Sequence, residues 1–277
     1  MPPAFRRTTA VNRTATITTG AQDLAGNPLL ENYVWSFTTA ADAVIGLLPV
    51  DLGAAANFAA LSGSGLTSVP ASDITGDVGV SPASGSSIIL TCPEINGTIY
   101  QVDAGLVAVC AMTDAAGLSA AKAALTVAYN DAAGRTVPAP AAIAGDQGGI
   151  TLAPGIYKST SELLIQSGNL TLDAQGDANA VWIFQIATTL TTVGGGPFPS
   201  PAGGNVMLIN GANAKNVFWQ VGTAATIGDY TDFYGTILAH DDISVNTGAH
   251  IHGRLLAGAQ PSGAGAVTLI QNVVVIP

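Results

Sequence analysis

NVFWQVGTAATIGDYTDFYGTILAHDDISVNTGAHIHGRLLAG, residues 216–258, repeats when laid on itself. Trp219, Ile237 and Leu255 recur every 18 residues (237 − 219 = 255 − 237 = 18), and Ile227/Val245 and Gly235/Gly253 keep that offset. Short apolar alternations with glycines between them, at this period, suit one turn of a β-solenoid. The period is too short for a propeller blade, and the helical pairs of ankyrin or tetratricopeptide repeats are missing. Residues i and i+2 of a strand share a face. Ile243, Val245, Ala249 and Ile251 are therefore expected inward, Asp242, Ser244 and Asn246 outward on one side, and His250 and His252 outward on another. Aligning Gln185 of IFQIATTLTTVGG (183–195) with Gln220 sets Thr189 and Thr191 opposite Ala224 and Thr226. One outer face then stacks Thr189, Thr191, Ala224, Thr226, Asp242, Ser244 and Asn246, small and hydroxyl-rich with charge at one edge. Threonine is also simply a good strand residue, so periodicity alone gives that face no task.

Composition narrows the classes. Charged residues are 9% of the 277, with 8 Lys and Arg against 18 Asp and Glu and a net charge of −10. Nucleic-acid binding needs a basic footprint and anionic membranes attract basic segments, so both are disfavoured. At 48% hydrophobic residues the chain is expected to fold. No apolar run is long enough to span a membrane, and MPPAFRRTTAVNRTATITTG lacks the apolar core of a signal peptide. Cys92 and Cys110 suit either a local disulfide of an exported protein or two free thiols; the disulfide, closing a loop that caps one solenoid end, is the expectation. A cysteine-only metal site would want two more ligands, and His250 and His252 lack a third at fixed spacing, so no metal or other cofactor is expected.

Residues 113–135, TDAAGLSAAKAALTVAYNDAAGR, give the one convincing helix. Thr113 or Asp114 can cap its start, and Leu118, Ala121, Leu125, Ala128, Tyr129 and Ala132 form its apolar stripe. That stripe must be buried against one solenoid face, with Phe218 and Leu238 as expected contacts. Glycine and proline make residues 194–204 an irregular loop. Near the start, two strands are expected at Ala15–Thr19 and Tyr33–Thr39 around a turn at Asp23, Gly26, Asn27 and Pro28.

Two resemblances follow from these residues. Thr16, Thr18, the turn Asp23–Ala25–Gly26–Asn27 and Trp35-Ser36-Phe37-Thr38-Thr39 resemble the last hairpin of a bacterial immunoglobulin-like module from secreted surface proteins. This implies a truncated module at 1–40, a linker at 41–50 and a main domain at 51–277, cut from a longer secreted or cell-surface protein. The main domain is similar to the microbial ice-binding protein family through Ile74-Thr-Gly-Asp-Val-Gly-Val-Ser-Pro82, Tyr129–Arg135, Leu170–Gly176 and Asn216–Gly222. The resemblance implies an all-β, right-handed, discontinuous solenoid of triangular cross-section with one long helix alongside. It also implies a monomer that adsorbs to ice by one flat face, slowing ice growth and recrystallisation. A Thr-(Ala/Gly)-X-(Thr/Asn) pattern in some members is matched by Thr223-Ala-Ala-Thr226, more loosely by Thr188-Thr-Leu-Thr191, and not by Asp241-Asp-Ile-Ser244. The expected site is thus Thr188, Thr189, Thr191, Thr223, Thr226, Ser244 and Asn246. A polysaccharide-cleaving β-helix would need paired carboxylates in a groove; adjacent Asp241 and Asp242 point to opposite faces, and no catalytic residue is assigned. A structural adhesin segment is the remaining alternative.

Overall fold

The computed structural model describes residues 12–38, 46–196, 203–260 and 262–277. The expected residues 1–11, Thr39, the linker positions 41–45 and loop positions 197–202 lie outside them. The chain forms two compact units, Met1–Leu48 and Pro49–Pro277.

In the first unit, strands Asn12–Ile17 and Tyr33–Thr38 pair antiparallel, with Ala15 opposite Trp35 and Ile17 opposite Tyr33. The first strand stops at Ile17, short of Thr19, because the Thr18 carbonyl turns to accept from the Ala21 N–H at 3.0 Å. Asp23 organises the turn: Oδ1 accepts from the Ala25 and Asn27 amides and Oδ2 from Asn27 Nδ2. These bonds, the Asn27 side chain foremost, lower the Asp23 pKa. Tyr33 and Trp35 share one face and remain 61% and 41% exposed.

The second unit is built of parallel strands in a 13-stranded, an eight-stranded and a three-stranded sheet, because its apolar residues alternate with polar ones and turn residues separate the runs. The large sheet carries Gly155–Ser159, Trp182–Ile186, Val217–Val221, Asp232–Ala239 and His250–Leu256 in succession. The 18-residue repeat is literal here: Trp219 pairs with Ile237 and Ile237 with Leu255. Gln185 lies beside Gln220, as the alignment requires. Inward positions stack into an aromatic file, Tyr157 on Phe184 at 5.5 Å and Phe184 on Trp219 at 3.9 Å. Each such pair contributes about 1 kcal/mol beyond its buried area. Trp219 Nε1 donates to the Tyr234 carbonyl at 3.0 Å, so burying the indole leaves no orphan donor.

Strand order departs from chain order at one place. Phe58–Ser62 pairs with His250–Leu256, Gly65–Ser68 with Ala266–Leu269, and Asp73–Thr75 with Val273–Val275. The chain's early strands therefore extend the stack beyond its last ones. The outermost of them, Ile95–Asn96 and Ala111–Thr113, flank the Cys92–Cys110 disulfide.

The helix is Ala115–Gly134. Asp114 caps it by accepting from the Gly117 N–H at 2.8 Å; Thr113 is not available, since it ends a strand beside Gln101. Leu118, Ala121, Leu125, Ala128 and Ala132 are buried, Tyr129 is half-buried, and Lys122 joins the buried stripe. The helix packs on Trp182–Ile186, Val217–Val221 and Asp232–Ala239, and covers Phe218 and Leu238 completely. Gly79 allows this approach, because a Cβ there would lie 2.6 Å from Leu118 Cδ2.

Candidate functional site

With the helix on the large sheet, an eight-stranded parallel sheet stays open. Its order is Gly145–Asp146, Leu163–Ile165, Leu190–Thr192, Ala225–Ile227, Ile243–Val245, Ala266–Leu269, Gly65–Ser68 and Ile88–Ile89. Strict alternation buries Leu190, Thr192, Ala225, Ile227, Ile243, Val245, Val267, Leu269 and Leu66 and turns the residues between them outward. The register makes those outward residues one file: Asp146, Leu164, Thr191, Thr226, Ser244, Thr268, Thr67 and Ile89. Five consecutive hydroxyl residues thus stand on five adjacent strands, spaced about 4.8 Å apart by the sheet itself. Their backbone is locked by ladder bonds from both sides, so the file is rigid.

Thr191, Thr226 and Ser244 sit at the centre of this file. Thr189 flanks it beside Ala224 and Asp242, joined by Leu190 N–H to Ala224 O and Ala225 N–H to Asp242 O. Asn246 follows the strand Ile243–Val245, and its amide N–H bonds the Ile227 carbonyl. Thr188 and Thr223 occupy the corner next to the helix side, linked by Thr223 N–H to Thr188 O at 3.0 Å. Thr188 is exposed, but Thr223 Oγ1 is buried without a partner, so that hydroxyl is not displayed. Thr67 and Thr268 were not among the expected residues. Their signal was present, since Leu66-Thr67 and Val267-Thr268 repeat the apolar–Thr step of Leu190-Thr191, but sequence order hid which strands adjoin.

Charge on this face is confined and turned to backbone. Asp242 Oδ1 accepts from the Ala266 N–H at 2.7 Å. Asp146, at the far end, accepts from the Gly148, Gln166 and Ser167 amides; hydrogen bonds, the Ser167 side chain foremost, pull its pKa to about 2 and keep it ionised. Asp241 does not pair with Asp242: it meets His240 Nδ1 at 2.8 Å and Gln260 Nε2 at 3.3 Å. Among the described residues no three His, Cys, Asp or Glu side chains gather as metal ligands.

The fold and this face define a class: a rigid parallel-β stack with one covering helix and a flat, weakly charged, hydroxyl-bearing side left open. Residues 60–275 match the family profile described as Ice-binding-like, and the chain belongs to that family. It is 44% identical over 229 residues to an ice-binding protein of Flavobacterium frigoris, covering 82% of this chain and 76% of that one. It is 40% identical to an ice-binding protein of Colwellia, covering 82% and 84%. The crystal structure of an ice-binding protein from an Antarctic biological consortium superposes with a TM-score of 0.71 at 41% identity, over 84% of this chain and 94% of that one. The Shewanella frigidimarina ice-binding protein 1 domain gives 0.70 at 33%, over 83% and 97%.

Proposed function

We propose that this chain adsorbs to ice through the eight-stranded face, slowing ice growth and recrystallisation. The central contact is the file Thr191, Thr226, Ser244, Thr268 and Thr67, with Thr189 and Asn246 along its margins and Thr188 at its corner; Thr223, its hydroxyl buried, only shapes that corner. The observation that carries the reading is the unbroken five-residue hydroxyl file on one sheet. Each threonine offers a methyl and a hydroxyl together, and a rigid array at strand spacing orders water in a repeating pattern. Low charge helps, because strongly hydrated ions disrupt such order. Relatives named ice-binding proteins over most of the chain support the same reading.

The finer architecture belongs to this proposal. The three sheets are read as the sides of a right-handed solenoid of triangular cross-section, supported by the parallel ladders and the family resemblance. The protein is read as a monomer that works outside the cell without catalysis; its disulfide is of the kind oxidising compartments permit. Residues 1–40 are read as part of an immunoglobulin-like module, 41–50 as a linker and 51–277 as the ice-binding domain. The uncovered Tyr33 and Trp35 favour a parent protein in which further modules accompany this domain, compatible with attachment of a cell to ice.

Adsorption is a many-contact event, so one bulky intruder should lift the face off the lattice. Thr226→Tyr is expected to remove most thermal hysteresis and recrystallisation inhibition with little change in stability. His250→Tyr, at the start of a large-sheet strand beside Asp232 and off the eight-stranded face, is expected to retain both. The reverse pattern would overturn the choice of face, and activity retained by both variants would overturn the file.

A further inference from the structure

We propose a second binding site, independent of ice: a groove between the edge of the three-stranded sheet and the large sheet that takes a pyranose ring of a neutral saccharide. The groove arises where two strands that run together fail to pair. Val206–Ile209 is the last strand of a three-stranded sheet, bonded on one side to Leu170–Asp173. Asp232–Ala239 is bonded on its far side to His250–Leu256. At their starts Asn205 bridges them, its Oδ1 accepting from the Asp232 N–H at 2.8 Å and its Nδ2 donating to Asn169 Oδ1 at 2.8 Å. Beyond that bridge no ladder joins them, and a groove of about 400 Å³ opens, lined by Met207, Leu208, Asn213, Tyr234, His252 and Val275 among others.

One wall is aromatic. The Tyr234 ring stacks on His252 with centroids 4.5 Å apart and planes 11° apart. His252 stands on the neighbouring strand, paired with Tyr234, and both rings line the groove. Asp232 lies at the edge of both rings: Tyr234 Oη donates to Oδ2 at 3.3 Å, and His252 Nε2 lies 3.1 Å from Oδ1 without completing a hydrogen bond. Burial first, and the Asp232 charge second, raise the Tyr234 pKa, so the phenol keeps the proton it donates. Among the described residues, three polar valences at the groove are then left without a protein partner. They are the Tyr234 Oη lone pairs, His252 Nδ1, and Asn213 Nδ2, whose Oδ1 is already taken by the Lys215 N–H.

A flat ring face beside apolar side chains, edged by donors and acceptors, matches a sugar ring with C–H groups on one face and hydroxyls at its rim. A purely apolar guest would strip water from those three atoms and return nothing. Among the described residues neither Lys nor Arg lines the groove, and the net charge is −10, so an acidic sugar is disfavoured.

Saturation-transfer NMR with maltotetraose and cellotetraose tests this. Transfer from the wild-type protein to ring protons of at least one is expected. Tyr234→Ala should abolish it. Tyr234→Phe, which keeps the stack, and Asn213→Asp, which keeps the bond to Lys215, should each weaken binding about fivefold, the loss of one neutral hydrogen bond. Those two milder variants decide the matter if Tyr234→Ala fails to fold. Thr226→Tyr should leave the transfer unchanged, and Tyr234→Phe should leave thermal hysteresis unchanged. No transfer to either saccharide, equal transfer in all variants, or transfer to benzyl alcohol but to neither sugar would overturn the proposal.

Discussion

Thr67 lies beside Thr268 although 201 residues separate them (268 − 67 = 201). Alternation found Thr191, Thr226 and Ser244, because their strands follow one another in the chain and period-two reasoning is local. Nothing local says that Gly65–Ser68 stacks next to Ala266–Leu269, so Thr67 was legible as a strand residue but not as a neighbour. If the file acts as a unit, Thr67→Tyr should lose most thermal hysteresis, as Thr226→Tyr does. Thr171→Tyr, on the strand Leu170–Asp173 of the three-stranded sheet, should keep it. Activity in Thr67→Tyr equal to wild type would confine the contact to the strands between Leu190 and Leu269.

Lys122 was equally hidden, since a charged residue reads as solvent-facing. Its Nζ donates to the carbonyls of Ala257 at 2.7 Å and Gly258 at 2.8 Å. Burial lowers its pKa from 10.5 to about 8. Between those values the unfolded chain holds a proton that the folded one has released, so unfolding free energy should rise with pH. Equilibrium denaturation from pH 8 to 10 should show that rise, and Lys122→Met should flatten it. Above pH 10 the trend should reverse, because burial raises the pKa of Tyr129 and Tyr157, and the unfolded chain then ionises first.

The helix was the most legible element, its stripe at three/four spacing and its start at an aspartate both visible in sequence. What sequence did not disclose is how its end is finished. Gln185 Nε2, from the sheet beneath, donates to the carbonyls of Ala132 at 2.9 Å and Arg135 at 2.8 Å. Carbonyls in the last turn have no partner within a helix, so a residue fifty positions on supplies one. Gln185→Leu should strand those carbonyls and cost about 1–3 kcal/mol, read as a lower melting temperature. Gly79→Ala attacks the same contact from below. The added methyl meets Leu118 and Phe58, and overpacking of this kind costs about 1–3 kcal/mol. Ice activity measured well below the melting point should survive both, because the open sheet lies on another side.

Across the molecule, the stack has its disulfide at the end built from early strands. Glu94 reinforces that end: its carboxylate accepts from the Thr91 N–H at 2.7 Å and the Ser72 N–H at 3.1 Å. Burial raises its pKa, but these bonds, with that from Ser68, outweigh burial and leave it lowered. Reducing Cys92–Cys110 should cost roughly 3 kcal/mol in the chain-entropy model, with thermal hysteresis at low temperature retained. Deleting residues 1–40 should leave melting of the remaining chain and its ice activity nearly unchanged, since a two-stranded hairpin is marginal on its own; loss of either would show that the segment supports the larger unit.

The pairing of Ala60 with Leu255 sets a timetable for synthesis. A chain leaving the ribosome N-terminus first releases Leu61, Leu66, Ile74 and Val78, all fully buried at the end, long before their partner strand His250–Leu256. The middle strands, Trp182–Ile186 through His250–Leu256, adjoin in chain order and can wind as they emerge. The early strands pair among themselves over short loops, but their junction with the middle strands must wait, closing a loop of almost two hundred residues between Ala60 and Leu255.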